Sequence, residues 1–362
     1  MYTPSGTAFK RFMAGLTMKI AVDAMGGDYA PGVVIEGLAL TVQEYPDYDF
    51  VLVGHTEKVK FYLEKYGLAD HPHISICHAE SVCEMSDPSA IALRGKKDSS
   101  ITTCAKLIKE GKVDAMVTPG HTGATVAATK VLLRTLPGVD RPALAASMPS
   151  QPGRFVLMEA GANPDCTALN LEQFAVMGEI YAQYLFKKER PTVGLLSVGG
   201  EDIKGCDLTK EAFKRLERLP INFVGNVEAD TIFEGVADVL ISDGFAGNVL
   251  LKGAEGLAKS TFVWLKRVLK KNTLRYVWAM LAQNVFRELK AFGDADNIGG
   301  APLLGINGIC IIGHGSSNPK AVLNAIRVAA ECVNFRLNEK IVAGIQAANE
   351  ANARRAAEEI NK

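Results

Sequence analysis

The residues best suited to chemistry are Lys204 and Asn248, each in a glycine-rich loop after a predicted strand. Lys204 stands in SVGGEDIKG, where its ammonium group could neutralise a phosphate or a developing oxyanion. Asn248 stands in ISDGFAGN, where its amide could donate a hydrogen bond to a carbonyl oxygen held at a helix N-terminus. A solvated lysine and a helix cap are the plain alternatives for these two residues.

Further loops of similar composition could bind an anion through backbone N–H groups and short polar side chains. The segment IAVDAMGGDYAPG places Asp23, Gly26 and Gly27 between a strand and a helix. The segments TPGHTGA, ISDGF and IIGHGSS end other strands and supply His121, Thr122, Asp243, His314 and Ser316. Turn formation or helix capping explains each loop singly. Because several such loops follow predicted strands, we predict that they bind phosphate together.

The motifs of the common nucleotide, covalent and metal enzymes are missing from the sequence. DAMGGDYAPG lacks the G-x-G-x-x-G spacing of a dinucleotide site, and Gly205 precedes Cys206 where a phosphate loop requires lysine. No G-x-S-x-G nucleophile motif and no H-E-x-x-H metal motif occurs. We therefore predict chemistry by positioning and oxyanion stabilisation, without a cofactor or a metal.

The composition describes a soluble, globular chain with no overall electric field. The 362 residues are 48% hydrophobic, and 40 basic residues balance 40 acidic ones, so we expect no nucleic-acid partner. Seven cysteines without a C-x-x-C pair favour a reducing, cytoplasmic compartment. The first residues lack the apolar core of a signal peptide, and the chain has no apolar run of about 18 residues.

Short β-rich runs alternate with helical stretches along the chain, which predicts a mostly parallel α/β sheet covered by helices on both faces. The predicted strands lie in KIAVDAM, DFVLVG, HISICHA, AMVTPG, FVLMEAG, TVGLLSVGG, INFVGNVE, VLISDG and GICIIGHG. We predict one catalytic domain over residues 18–345. Residues 1–17 are expected to form a flexible extension, and residues 346–362 a helical tail.

Residues 259–290 form a basic, amphipathic segment that we predict to be two helices joined near Asn272. The segment carries eight Lys or Arg residues against one acid, Glu288. It also contains Trp264, Leu265, Trp278 and Leu281, the candidates for membrane contact. This composition suits the interface of an anionic bilayer. A dimerisation or core-packing hairpin with a solvated basic face is the alternative.

The order of several motifs resembles the bacterial phosphate acyltransferases of phospholipid synthesis, the PlsX family, from about residue 18 to about residue 335. The motifs are IAVDAMGGDYAP, RGKKDSS, RPALA, LMEAGANPDC, VGLLSVGGEDIKG, INFVGNVEAD, DGFAGNVLLKGAEG and GGAPLLGINGICIIGHGSS. The resemblance implies a Rossmann-like, three-layer α/β/α fold related to isocitrate dehydrogenase and phosphotransacetylase. It also implies transfer of a long fatty acyl chain from acyl carrier protein to inorganic phosphate.

By the same resemblance the protein would be a homodimer that associates peripherally with the inner face of the cell membrane through residues 259–290. Its product would supply a glycerol-3-phosphate acyltransferase in phosphatidic acid synthesis. Lys204 would orient phosphate or neutralise the oxyanion, and Asn248 would donate to the same oxygen. The chain departs from the usual family pattern at His121, Glu159 and Ser197, where asparagine, aspartate and asparagine are common.

Two other functions remain open on the sequence alone. One is a coenzyme A-dependent phosphotransacetylase; a dehydrogenase on the same scaffold is disfavoured by the missing dinucleotide motif. The other is a non-catalytic, membrane-surface protein that organises lipid-synthesis enzymes through residues 259–290. Acyl-donor assays separate the first from the phosphate acyltransferase, and substitution of Lys204 and Asn248 separates the second.

Overall fold

Alternating apolar runs form the strands of one large sheet in the computed structural model, which describes residues 17–83, 96, 98–293 and 299–360. The predicted N-terminal extension therefore lies outside the described residues, apart from Thr17. The strands are β1 (Lys19–Asp23), β2 (Asp49–Gly54), β3 (Ile74–His78), β4 (Ala115–Thr118), β5 (Ala143–Ser150), β6 (Gly153–Met158), β7 (Thr192–Leu196), β8 (Asn222–Val227), β9 (Val239–Ile241), β10 (Ala301–Leu304) and β11 (Ile309–Ile312).

Helices connect most of these strands, as the alternation of patterns predicts. In the described part of the chain they are α1 (Gly32–Glu44), α2 (Thr56–Lys65), α3 (Ser100–Lys109), α4 (Thr122–Leu132), α5 (Ala168–Phe186), α6 (Asp207–Leu216), α7 (Gly244–Lys270), α8 (Thr273–Leu281), α9 (Gln283–Gly293), α10 (Pro319–Asn334) and α11 (Leu337–Ile360). A short 3₁₀ turn covers Ile232–Glu234.

The sheet is buried on both faces, which confirms the predicted three-layer arrangement. Along β1, Ile20 and Val22 belong to one hydrophobic cluster, whereas Ala21 between them belongs to the cluster on the other face. Successive side chains of a strand point to opposite faces, so one apolar run contributes to two cores. Helices such as α5 and α10 cover one of these faces, with Phe174 and Ile326 fully buried.

The strand order is β3-β2-β1-β4-β11-β10-β5-β6-β9-β7-β8. The five strands from β3 to β11 are mutually parallel, and the four from β6 to β8 are mutually parallel. Between them, β10 and β5 pair antiparallel with their neighbours, so the two parallel blocks run in opposite directions. A mostly parallel sheet is confirmed, and because the two blocks are opposed, the polar loops that follow their strands leave the sheet in two opposite directions.

The loops nevertheless meet, because the two blocks are displaced along the strand direction. Pro302 of β10 pairs with Ile311, near the end of β11. Ala145 of β5 lies one residue beyond the stretch of β5 that pairs with β10. It pairs with Met158 at the end of β6. Met158 pairs in turn with Ile241, the last residue of β9. The carboxyl ends of the opposed blocks therefore face each other across the middle of the sheet.

Two elements at the periphery differ from the sequence prediction. The region after Lys259 is not two helices but the end of α7 followed by α8 and α9, with Asn272 capping α8 by accepting from the Leu274 N–H at 2.8 Å. Helix α11 runs through residue 345 without a break, and Ile341 and Ile345 are buried in the core. No helix of the described segments is long and apolar enough to span a bilayer.

Candidate active site

A cavity of about 370 Å³ lies where the opposed carboxyl ends meet, and we call it the central cavity. Its volume falls within the range of small-molecule sites. The first block contributes the loops after β4 and β11, and the second contributes the loop after β6 and the start of α7. Its polar lining includes Thr122, Ser147, Asn248, Lys252, Glu255 and His314.

The loop after β1 packs against the loops after β4 and β11 through backbone atoms. The Asp28 N–H donates to the Gly315 carbonyl oxygen at 2.8 Å. A Cβ on Gly26 would lie 2.8 Å from the Gly120 nitrogen, and one on Gly27, whose φ is 90°, would lie 2.9 Å from the Gly315 oxygen. The two glycines are therefore needed for loop contact, and they do not line the central cavity.

Asp23 lies beneath these loops and fixes their positions through hydrogen bonds. Its side chain is fully buried, and its carboxylate accepts from the Thr118 hydroxyl at 2.7 Å and from the Met25 N–H at 3.1 Å. Burial raises the pKa of this carboxyl, and hydrogen bonds from Ser100 and Thr118 oppose that rise. Because these donors occupy the carboxylate, Asp23 is better suited to positioning the loops than to contacting phosphate.

His121 and Thr122 lie at the N-terminus of α4. His121 is the helix cap: its Nδ1 accepts from the Ala124 N–H at 3.2 Å. This use of Nδ1 resembles the capping by a side-chain oxygen that asparagine would provide at the same position. Thr122 is the first helical residue and lines the central cavity. The positive end of the α4 dipole thus points toward the cavity.

His314 is the exposed residue that the loop after β11 presents to the cavity. Its Nδ1 accepts from the Ser316 N–H at 3.2 Å and lies 2.8 Å from the Ser316 hydroxyl oxygen. In a neutral ring this arrangement leaves the proton on Nε2, where it can be donated. Ser316 thus orients His314, and α10 begins only at Pro319, with Asn318 as its cap.

Glu159 organises the second block's loop as Asp23 organises the first. Its backbone φ is 70°, and its buried carboxylate accepts from the N–H groups of Gly161 at 2.8 Å and Asn163 at 3.1 Å, and also from that of Ala162. Burial raises the pKa of Glu159, against the effect of these donors. Four hydrogen bonds to one carboxylate, with the Asn163 amide as the fourth at 2.7 Å, fix the loop beneath Asn248.

Asn248 lies one turn inside α7, directly over that loop. A Cβ on Gly161, whose φ is 130°, would lie 3.2 Å from the Asn248 side chain. The cap of α7 is Asp243, whose carboxylate accepts from the Ala246 N–H at 2.7 Å. The capping alternative for Asn248 is therefore wrong, and Asp243 is engaged in capping. In the part of the chain that the structure describes, the exposed Asn248 amide has no hydrogen-bond partner, so it is available to a ligand.

Lys204 does not line the central cavity. It is exposed in the loop between β7 and α6, and its stem packs over Gly199 of the same loop. A second cavity of about 540 Å³, the lateral cavity, lies beside this loop. Three carboxylates line the lateral cavity, from Glu228, Asp230 and Asp243. Because like charges repel, this second cavity suits phosphate less well than the central cavity does.

Lys252 is a cavity residue that the sequence reasoning missed. Its Nζ lies 3.0 Å from the Glu255 carboxylate, and both side chains line the central cavity. The spacing of Asn248, Leu251, Lys252 and Glu255 is that of one helix face, which could have revealed them. Among the described residues, no cluster of three His, Cys, Asp or Glu side chains could hold a metal ion.

The candidate membrane-contact residues lie on two sides of the helical projection formed by the end of α7 with α8 and α9. Trp264, Trp278 and Leu281 expose 54%, 64% and 73% of their surface. Leu265 differs, since it is half-buried and lines a groove between the helices. The structure thus separates an outer face with the tryptophans from an inner, apolar groove.

Comparison with known proteins identifies the family to which the chain belongs. A family model described as a fatty acid synthesis protein matches residues 18–340. A phosphate acyltransferase of Acidobacterium capsulatum is 46% identical over 334 residues, covering 92% of this chain and 99% of the relative. The chain belongs to this family of phosphate acyltransferases. A second member, the phosphate acyltransferase of Pelotomaculum thermopropionicum, is 44% identical and covers 91% of the chain and 95% of its own length.

Membership confirms the resemblance that the motif order indicated, and it makes the chain an acyltransferase enzyme of fatty acid and lipid synthesis. Solved structures support the fold. A phosphotransacetylase from Streptococcus pyogenes matches with a TM-score of 0.61 at 19% identity, covering 92% of this chain and 99% of that one. The EutD phosphotransacetylase from Staphylococcus aureus matches with a TM-score of 0.53 at 18% identity, covering 96% and 100%. At these identities the likeness shows the fold alone.

Proposed function

We propose that this phosphate acyltransferase transfers a long-chain fatty acyl group from acyl carrier protein to inorganic phosphate. The product would be an acyl phosphate for phospholipid synthesis. The observation that carries the proposal is the central cavity, where the N-terminus of α4 and His314 of one sheet block face the exposed amide of Asn248 on the other. Such a cavity can hold a nucleophile and an electrophile against each other.

Phosphate would bind at the side of the cavity formed by the first block. The N-terminus of α4 offers a positive helix end, and Thr122 and His314 offer donors. Lys252 adds a cation on the facing helix. The acyl carbonyl would lie toward Asn248, whose amide can donate to the oxyanion as it forms.

The reaction then needs no cofactor, because the thioester donor is already activated. An oxygen of hydrogen phosphate attacks the thioester carbon, and the carbonyl oxygen becomes an oxyanion that Asn248 stabilises. Collapse of this intermediate forms the acyl–oxygen bond and breaks the carbon–sulfur bond. The proton of hydrogen phosphate ends on the departing carrier thiolate, so the products are acyl phosphate and free carrier thiol.

In this proposal Lys204 acts on the side of the site where the acyl donor binds. Its loop is exposed and contains Gly205 at a φ of 113°, and it borders the start of α7 across the lateral cavity. For Lys204 to neutralise the oxyanion, the loop would have to close over the central cavity when the donor binds. Replacement by alanine should then lower the rate with a bound donor and leave phosphate affinity unchanged.

The test of the proposed function is acyl phosphate formation with two rival donors. Palmitoyl-acyl carrier protein or palmitoyl-coenzyme A is mixed with inorganic phosphate, and the product is trapped as its hydroxamate. We expect product from the carrier-protein donor. Product from the coenzyme A donor alone would favour the phosphotransacetylase-like alternative. No product from either would contradict the proposal and favour a non-catalytic organising role.

We also propose that the protein attaches peripherally to the inner face of the cell membrane through the outer face of its helical projection. Exposed tryptophans beside basic residues suit an anionic bilayer surface. Co-sedimentation with phosphatidylglycerol vesicles should exceed that with phosphatidylcholine vesicles. The double variant Trp264→Ala, Trp278→Ala should lose the difference.

A homodimer and a downstream partner complete the proposal. Acyl phosphate is a reactive mixed anhydride, so an acyltransferase that consumes it, such as a glycerol-3-phosphate acyltransferase, is the expected next enzyme. Sedimentation equilibrium at micromolar concentration tests the dimer. A rise in overall flux when the consuming enzyme is added, without free fatty acid, tests the transfer.

A further inference from the structure

One face of α7 connects the central cavity to a groove in the helical projection. Near the start of the helix, Asn248, Lys252 and Glu255 line the cavity. Farther along, the groove is lined by Lys259, Phe262, Lys266 and Lys270. These positions are three or four residues apart, so they form a single stripe along the 27-residue helix.

The groove is large and mainly apolar. It has a volume of about 760 Å³ and lies between the second half of α7 and the helices α8 and α9. Phe262, Leu265, Leu269, Met280 and Phe286 supply its apolar surface.

The charged residues of the groove lining are all basic. Lys259, Lys266, Lys270 and Arg287 line it, and the described lining includes no carboxylate. Long basic side chains can cover apolar surface with their stems while their charged ends stay in water. An uncharged acyl chain therefore meets apolar side chains and the apolar stems of basic residues along the groove.

We infer that the groove binds the distal part of the fatty acyl chain during acyl transfer to phosphate, with the thioester carbonyl at Asn248. The inference rests on the proposed function and adds to it the site that selects long chains. The apolar groove supplies what the central cavity lacks, since that cavity holds only the polar end of the substrate. Between the two lies Glu255, whose charge is balanced by Lys252 at 3.0 Å.

The distance along α7 from Asn248 to the groove also determines which acyl chains can reach it. Lys259 is 11 residues beyond Asn248, about 16 Å along the axis at 1.5 Å per residue, and Phe262 is about 21 Å along it. An extended carbon chain covers about 1.3 Å per bond, as trans backbone geometry shows. An octanoyl chain, about 9 Å long, therefore ends before the groove. A palmitoyl chain, about 20 Å long, passes Lys259 and ends about 1 Å short of the level of Phe262, within contact of its ring, which leans toward the helix N-terminus.

The inner groove is distinct from the outer face proposed for membrane contact. Trp264 lies two residues after Phe262, which places it on the opposite side of α7. The two roles can therefore be separated by substitution. If a second copy of this chain or a bilayer lipid occupied the groove instead, the effect of a groove variant would not depend on the length of the donor's acyl chain.

The test compares Phe262→Glu with Thr261→Glu in the full-length protein, without vesicles or detergent. Both variants add one carboxylate to an exposed stretch of α7, but only position 262 lines the groove. Acyl phosphate formation is measured with palmitoyl- and octanoyl-acyl carrier protein. Each methylene removed from apolar contact costs about fourfold in binding, so we expect Phe262→Glu to lower kcat/KM at least tenfold with palmitoyl donor. We expect less than a twofold change with octanoyl donor, and no donor-length effect for Thr261→Glu.

Two other results would overturn the inference. Equal losses with both donors, or no loss with palmitoyl donor, would mean that the chain does not occupy the groove, while phosphate acyl transfer itself would stand. Absence of product from the unmodified protein with any donor would contradict the proposed function instead. Phe262→Ala serves as a second variant, with thermal melting as the check that both variants fold.

Discussion

Asn248→Ala is the substitution that most directly tests the assignment of the oxyanion donor. Removal of one such donor costs about 10²- to 10³-fold in kcat, or about 2.7 to 4 kcal/mol of transition-state stabilisation. The fold should be little affected, because the amide is exposed and has no hydrogen-bond partner in the described structure. Exposed substitutions of this kind change the free energy of unfolding by about 0.5 kcal/mol or less.

The assay is single-donor turnover of palmitoyl-acyl carrier protein with saturating phosphate, with acyl hydroxamate measured after trapping. The matched control is Val249→Ala, since Val249 is the next residue of α7, is 57% exposed and does not line the cavity. We expect the control to keep kcat within about twofold, and Asn248→Ala to lose kcat without a comparable change in KM. If Asn248→Ala retained more than a tenth of kcat, the amide would only pack on Gly161 and the oxyanion assignment would be wrong.

Three further predictions concern stability and reactivity. A Cβ on Gly247 would lie 2.1 Å from the Glu159 carbonyl oxygen, whereas one on Gly253 would meet nothing within 4 Å. Gly247→Ala should therefore lower the free energy of unfolding in urea by about 1 to 3 kcal/mol, and Gly253→Ala should raise it by about 0.5 to 1 kcal/mol. Equal changes in the free energy of unfolding for the two variants would contradict the close contact at Gly247. Burial of Asp238 is outweighed by Lys188, whose Nζ lies 2.6 Å from the carboxylate, and by Thr192, so the pKa of Asp238 is lowered. This contribution is present at neutral pH and is lost as pH falls below the unfolded pKa and through the lowered folded pKa. Asp238→Asn should therefore destabilise by about 1 to 2 kcal/mol at pH 7, and the difference from the unmodified protein should shrink steadily as the pH is lowered below about 4. A hydrogen bond from the Thr209 backbone lowers the pKa of the exposed Cys206 thiol, while burial raises the pKa values of the Cys104, Cys310 and Cys332 thiols. Peptide mapping after iodoacetamide treatment should therefore find Cys206 modified before these three cysteines. Earlier modification of any of the three would refute the burial argument.

The strands that the sequence did not predict are the ones that decide the architecture. Strand β5 reads ALAASMPS, rich in alanine, serine and proline, and β10 is the four residues APLL. Both have weak intrinsic strand preference, because small residues and proline lack the branched or aromatic side chains that pack on a pleated surface. Both pair antiparallel with their neighbours and so reverse the second block. Only pairing with distant parts of the chain identifies these two segments as strands, and local sequence patterns do not show such pairing.

Residue types and local spacing determined the class of fold, most of the parallel strands, and the glycine-rich and polar loops that line the central cavity together with Asn248. These are short-range properties, fixed by strand periodicity and by glycine and polar residues at strand ends. Only the tertiary structure decided that the loops come from two opposed blocks, that Asp23 and Glu159 hold them from beneath, and that Lys204 lies outside the cavity. The reason is physical: these arrangements depend on contacts between residues far apart in the chain. Strand β5 pairs with β10, the Asp23 carboxylate accepts from Thr118, and the Glu159 carbonyl oxygen accepts from Ser242.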